Sequence, residues 1–150
     1  VEDIARAGAE AALVWGPFSL QGEYIWTHLD RDSGLSDPAF DGYYVYGSWF
    51  LTGESRPYDN EKGRFTGVLP KSIVGKGGYG AWEVALRYSD VDLNDEDIEG
   101  GEEDNLTVGL NWYPTRNIRF MANYIHANSE RQRVEDDPHV FQIRTQFILE

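Results

Sequence analysis

Runs of about ten residues in which apolar and polar side chains alternate recur along this chain. A period of two puts every apolar residue of such a run on one face of a pleated strand. The pattern is plainest from His139 to Leu149, where Phe141, Ile143, Phe147 and Leu149 alternate with Gln142, Arg144 and Gln146, and Ile148 is the exception. Trp82, Val84, Leu86 and Tyr88 alternate in the same way with Glu83, Ala85, Arg87 and Ser89, and Leu106, Val108, Leu110 and Trp112 with Thr107, Gly109 and Asn111. Ile118, Phe120, Ala122 and Tyr124 stand against Arg119, Met121 and Asn123, and Phe18, Leu20, Tyr24 and Trp26 against Ser19, Gln21 and Glu23. A weaker run spans Ala7 to Trp15, and from Tyr43 to Leu51 aromatic residues occupy both phases, with Val45, Trp49 and Leu51 assigned to the outer face. These seven strands, without a helical crossover between them, predict an all-β antiparallel up-and-down meander.

Alternation alone does not say which face meets water, and a soluble antiparallel β-barrel or sandwich that binds a ligand or partner has the same period. Three features favour a membrane barrel. The strands are about as long as tilted membrane-crossing strands and longer than the usual five or six residues. Their polar face carries Gln, Asn, Thr, Ser, Gly and Arg rather than lysine, as a water-filled lumen does. Trp15, Tyr24, Trp26, Trp82, Tyr88, Trp112, Tyr113 and Tyr124 gather near strand ends, where amphipathic rings form interfacial girdles.

No stretch approaches the roughly 20 consecutive apolar residues of a spanning helix, so any membrane crossing runs through strands. The net charge of −13 opposes binding to nucleic acid, since it repels phosphates. The absence of cysteine excludes disulfides and thiolate metal sites. Bacterial single-chain barrels use even strand numbers from about eight upward, so with seven strands either one strand escapes the count or the chain is a piece of a larger barrel.

Gly16-Pro17 and Pro114-Thr115-Arg116-Asn117 are tight turns; residues 30–41, 90–105 and 128–138 are expected as long polar loops on the outer side. Residues 53–78 then fall on the periplasmic side, too long for a tight turn.

Several motifs carry the chemistry of a known family: Tyr44-Val45-Tyr46-Gly47-Ser48-Trp49-Phe50-Leu51-Thr52-Gly53-Glu54, Gly80-Ala81-Trp82-Glu83-Val84-Ala85-Leu86-Arg87-Tyr88-Ser89 and Val108-Gly109-Leu110-Asn111-Trp112-Tyr113-Pro114, continued by Asn117-Ile118-Arg119-Phe120-Met121-Ala122-Asn123-Tyr124. In order and spacing they resemble the C-terminal half of the phosphate-selective porin O and P family. The resemblance implies that residues 1–150 are the C-terminal part of a sixteen-stranded bacterial outer-membrane barrel that trimerises and takes up inorganic phosphate, polyphosphate or other small anions passively, with outer-membrane lipid around it. The family's best-attested phosphate ligands and constriction loop lie in the half not represented here, so no residue is carried over as a ligand. Such barrels end in an aromatic residue, whereas this chain ends Ile148-Leu149-Glu150, and Leu149-Glu150 resembles a cloning scar.

Arg87, Arg119 and Arg144 fall in the lumen phase of three strands, and a guanidinium fork suits oxyanions. They are the candidate anion path; the plainer reading pairs them with lumenal carboxylates such as Glu83 or Glu23 as braces. Arg56, Lys62, Arg64, Lys71 and Lys76 make residues 53–78 the most basic connection, either drawing anions to the periplasmic mouth or simply solvated. Asp92, Asp95 and Asp97, within an acidic stretch, are a weak divalent-cation candidate without the EF-hand glycine, and a solvated loop is the preferred reading. Gly75-Lys76-Gly77-Gly78-Tyr79-Gly80 matches a dinucleotide fingerprint, but a strand pattern follows where a helix is required. His28, His126 and His139 are read as belonging to unrelated strands or loops without metal spacing. No nucleophile, base and orienting acid present themselves, so neither an enzyme nor a cofactor is expected.

Overall fold

The structure is a computed structural model that describes residues 3–31, 34–131 and 134–148. Leu149-Glu150, and with them the expected scar, lie outside the described residues. The chain runs β1 (Asp3–Trp15), β2 (Phe18–Asp30), β3 (Ala39–Phe50), β4 (Tyr58–Asp59), β5 (Arg64–Phe65), β6 (Ala81–Asp95), β7 (Ile98–Thr115), β8 (Ile118–Arg131), β9 (Val134–Asp136) and β10 (His139–Phe147). The long strands form one sheet in the order β1-β2-β3-β6-β7-β8-β10, with β9 paired to β8. Every neighbouring pair is antiparallel, and each strand lies beside its nearest predecessor among the long ones, so the sheet is the expected meander. No helix among the described residues is long and apolar enough to cross a membrane, which leaves crossing by strands open.

Turn chemistry sets the register at one end of the sheet. Gly16, with φ 56°, lets β1 turn directly into β2, so that Trp15 pairs with Phe18. Between β7 and β8 the reversal takes only Arg116 and Asn117, and the register shifts between Trp112 and Thr115. Pro114 sits in that shift, where a residue without an N–H cannot serve the ladder.

At the opposite end the structure corrects one expectation. Residues 90–105 are not a loop: β6 continues to Asp95 and β7 starts at Ile98, with the reversal at Glu96 and Asp97. Glu96 takes φ 53° there. The acidic residues therefore stand on an extended hairpin, and of the loop expected at 128–138, residues 128–131 are strand in β8 and Val134–Asp136 form β9.

Burial shows which face is which. In β7 the polar Asn111 is 4% exposed while its apolar neighbour Leu110 is 42% exposed. Ser19, Ser48 and Glu83 are buried, yet Leu20, Trp49, Leu86 and Val108 are exposed large apolar residues. A soluble sandwich buries its apolar faces; this sheet curls around its polar one and turns the apolar face outward, as lipid requires. That observation sets the soluble alternative aside. Val45 and Trp49 lie on the exposed face, so the phase assigned to the ambiguous strand is correct. Cross-strand stacks join the outer aromatics: Trp82 with Trp112 at 5.5 Å, Trp112 with Phe120 at 5.4 Å, Phe18 with Trp49 at 5.7 Å.

β1 and β10 are the two ends of the sheet and do not pair with each other. Their free ladder groups have no partner in hydrocarbon, so a membrane-inserted sheet of this kind needs further strands at both edges.

Candidate anion path and basic segment

Register places the three wall arginines on the polar, concave face. Arg119 lies opposite Gln146, close to the short-turn end. Arg144 lies opposite Met121, one inner row further along, and that row continues through Asn111 to Glu83. Arg87 lies higher, opposite Tyr46 and Thr107. Arg87 and Arg119 contribute to one shallow hollow of about 210 Å³ with Tyr46, Thr107, Asn111 and Asn123; Arg144 stands apart from it. Aromatic faces hold two of the cations in place. The Arg87 guanidinium carbon is 4.8 Å from the Tyr44 ring centroid and that of Arg119 is 5.1 Å from the Tyr113 ring.

The bracing alternative required a carboxylate beside each arginine. Among the described residues, none of Arg87, Arg119 and Arg144 forms an ion pair. Glu83, the expected brace, is fully buried and paired instead with Arg56 from the segment between β3 and β6. It also accepts hydrogen bonds from Tyr113 Oη at 2.8 Å and Asn111 Nδ2 at 3.0 Å. A buried carboxylate needs this many donors, because water has been removed from it.

The segment between β3 and β6 is long because it folds back onto the wall. Val68 from the segment packs with Phe50, Ala81 and Tyr113 in a small buried cluster. β4 and β5 form a short hairpin within it, with Tyr58 edge-on to Phe65 at 5.3 Å. Its five basic residues have separate placements. Arg56 is sandwiched among Tyr46, Phe50 and Phe65 and reaches Glu83. Lys62 pairs with Asp59 at 3.7 Å; Lys71 donates from Nζ to the Gly53 carbonyl and from its backbone N–H to the buried Glu54. Lys76 is exposed in the glycine-rich turn, and Arg64 lines a cavity against the wall. The fingerprint-like run from Gly75 to Gly80 leads into β6, a strand and not a helix.

Sequence reading missed two residues here. Arg116, in the β7–β8 turn, lines the same cavity as Arg64. Arg31 crosses to the β6–β7 hairpin and pairs with Asp97, which also accepts from Ser36 Oγ at 2.6 Å. These donors, Arg31 first, hold the Asp97 carboxyl down at about 2. No sequence pattern marks either arginine, since each acts through a contact made across the fold.

The weak cation candidates are not assembled into one site. Asp97 serves Arg31, Asp95 accepts from the Ala39 backbone N–H at 2.6 Å, and Asp92 from that of Asn94 at 2.8 Å. No group of three or more metal-ligating side chains occurs among the described residues. His126 and His139, by contrast, are not unrelated: they are cross-strand partners on β8 and β10, with Nδ1 atoms 3.2 Å apart and rings stacked at 4.6 Å. Antiparallel pairing, which spacing in sequence does not reveal, brings them together.

Residues 1–149 match the model of a family described as phosphate-selective porin O and P. The chain is 32% identical over 155 residues to Porin O of Pseudomonas aeruginosa, covering 95% of this chain and 34% of that protein. It is 36% identical over 124 residues to an uncharacterized protein of Caulobacter vibrioides, covering 83% of this chain and 24% of that one. It thus spans about a quarter of the length of one of these relatives and about a third of the other. With an outward-facing apolar sheet, a polar concave wall and this match over nearly its whole length, the chain belongs to the phosphate-selective porin O and P family.

Proposed function

We propose that this chain forms the C-terminal part of a bacterial outer-membrane pore through which small anions, inorganic phosphate or polyphosphate among them, diffuse passively, and that the full-length protein is a homotrimer. The observation that carries the reading is the concave wall, on which Arg87, Arg119 and Arg144 stand in the polar phase without carboxylate partners among the described residues. Guanidinium groups spaced along a wet wall attract an oxyanion while leaving it free to move on, because none encloses it. Family membership supports the same role: its description is of phosphate-selective porins. No catalytic step is assigned.

The test uses the full-length protein in planar bilayers under a potassium chloride gradient. Anion selectivity predicts a reversal potential displaced toward that of chloride, and a chloride conductance that falls when inorganic phosphate is added. A reversal potential on the potassium side defeats the reading. Trimerisation is checked by the mass of the detergent-solubilised protein.

A further inference from the structure

Pairing of β8 with β10 sets His126 directly opposite His139, in the phase of the exposed Phe120, Tyr124 and Phe141. The pair stands where that apolar face gives way to acid: the next outward positions of β8, Asn128 and Glu130, lie opposite Asp104 and Glu102 of β7. The two Nδ1 atoms are 3.2 Å apart. An imidazole nitrogen binds zinc at about 2.0–2.1 Å, so two of them on one tetrahedral ion stand about 3.3 Å apart, close to the spacing already present. The rings are stacked with an interplanar angle of 18°, so their lone pairs run side by side. A turn about each Cβ–Cγ bond, a torsion with broad minima in histidine, makes them converge. Both rings have room for it, since His139 is exposed and His126 half-buried. Among the described residues neither forms an ion pair, so no carboxylate competes for either ring.

A separate feature beside the pair also points to a cation. A cavity of about 520 Å³ opens next to it, with Asn128 and Asp137, each two residues from a member of the pair, in its lining. Eight of its ten lining residues are Asp or Glu, the other two are Asn128 and Ser129, and neither Lys nor Arg is among them. Carboxylates gathered around one concavity raise the local concentration of cations. Oxygen donors alone favour hard ions such as magnesium and calcium, whereas imidazole nitrogen selects zinc, copper or nickel. The cavity thus supplies attraction and the histidines supply selectivity.

We infer that His126 and His139 form a binding site for a divalent transition ion of the zinc or copper class, held through both Nδ1 atoms with water in its remaining positions. Tyr124 Oη, 2.7 Å from the His139 Nδ1, is released on binding to hydrogen-bond a metal-bound water. Because one ligand comes from β8 and the other from the first residue of β10, a bound ion cross-links the two strands. The site lies on the outward face of the sheet and not on the concave wall, so it does not rest on the anion-pore reading.

The test is a calorimetric titration of Zn²⁺ into the full-length protein in detergent, with excess Mg²⁺ present throughout to occupy sites made of carboxylates alone. H126Q and H139Q are each expected to lose one bound equivalent, or to hold it about tenfold more weakly or worse. H28Q, whose ring stacks on Trp26 on another strand, should bind as the parent does. Neutralising Glu135 and Asp136 of the acidic cavity together should weaken the site severalfold without removing it. A second measurement needs no variant and so does not depend on a substituted barrel folding: Zn²⁺, but not Mg²⁺, should slow the carbethoxylation of His126 and His139 by diethyl pyrocarbonate severalfold, read by peptide mass. Unchanged stoichiometry and affinity in both histidine variants, or equal carbethoxylation with and without Zn²⁺, overturns the proposal. Binding that disappears with Glu135 and Asp136 but survives both histidine variants overturns it as well, since carboxylates then hold the ion.

Discussion

The carboxylate of Glu83, fully buried at the start of β6, is ion-paired to Arg56, a residue of the β3–β6 connection 27 positions earlier. This pair fastens a long connection to the barrel wall. Removing one partner of a buried pair leaves an uncompensated charge, at a cost of about 3–5 kcal/mol, whereas replacing both can be nearly neutral. Arg56→Met is therefore expected to lower the urea midpoint of the full-length barrel in lipid vesicles substantially, and the double variant Arg56→Met/Glu83→Gln to recover most of the loss. A single variant as stable as the parent would show that the pair does not hold the segment.

Replacing Arg87, Arg119 and Arg144 together with Gln keeps hydrogen-bonding capacity and removes three charges from the wall. The anion-over-cation permeability ratio in planar bilayers is expected to fall severalfold. Asp95, Glu96 and Asp97 at the tip of the β6–β7 hairpin are exposed or half-exposed, and salt screens them over about 8–10 Å. Their neutralisation should change the ratio much less. An unaltered reversal potential in the triple Arg variant would place the selective step on other strands of the pore.

The Arg31–Asp97 pair ties the β2–β3 connection to the β6–β7 hairpin, and it has a defined acid limit. Hydrogen bonds from Arg31 and Ser36 lower the Asp97 carboxyl from its ordinary 3.8 to about 2. A depressed carboxyl favours the joined state at all pH above 3.8, and that preference is lost as pH falls from there through about 2. Spin labels on Leu35→Cys and Glu99→Cys, in a chain without native cysteine, should report a short distance at pH 5 and a broad, longer one at pH 2. An unchanged distance across that window would show that other contacts hold the two together.

Gly80 enters β6 with φ 76°, and a Cβ there would collide with the Tyr113 carbonyl oxygen and approach Trp112 Nε1 to 3.0 Å. Backbone strain of this kind costs about 1–3 kcal/mol before any clash is counted. Gly80→Ala should lower the urea midpoint more than Gly67→Ala, whose Cβ would meet nothing within 4 Å and whose φ is not in the left-handed region. Equal midpoints for the two would remove the argument.

The seven long strands, their apolar phase and the two tight turns are legible without coordinates, because alternation and turn residues act over a few neighbouring positions. Even the strand with aromatics on both phases yields its outer set, Val45 and Trp49, correctly. The same locality explains the error at residues 90–105: no apolar side chain occurs from Glu99 to Asn105, so no apolar phase marks that half of the hairpin as strand, and its pairing follows from β6 and β7 continuing a register begun lower in the sheet. His126 meets His139, and Arg31 meets Asp97, only because antiparallel registry and loop reach join distant positions. Likewise the five basic residues of the β3–β6 connection look equivalent along the chain. Folding against the wall is what separates Arg56, committed to Glu83, and Arg64, facing a cavity of arginines, from lysines paired locally or exposed. Period thus determines strand and phase, and the order of the motifs points to the family, but which charges are neutralised depends on distances across the fold, and local pattern carries no information about those.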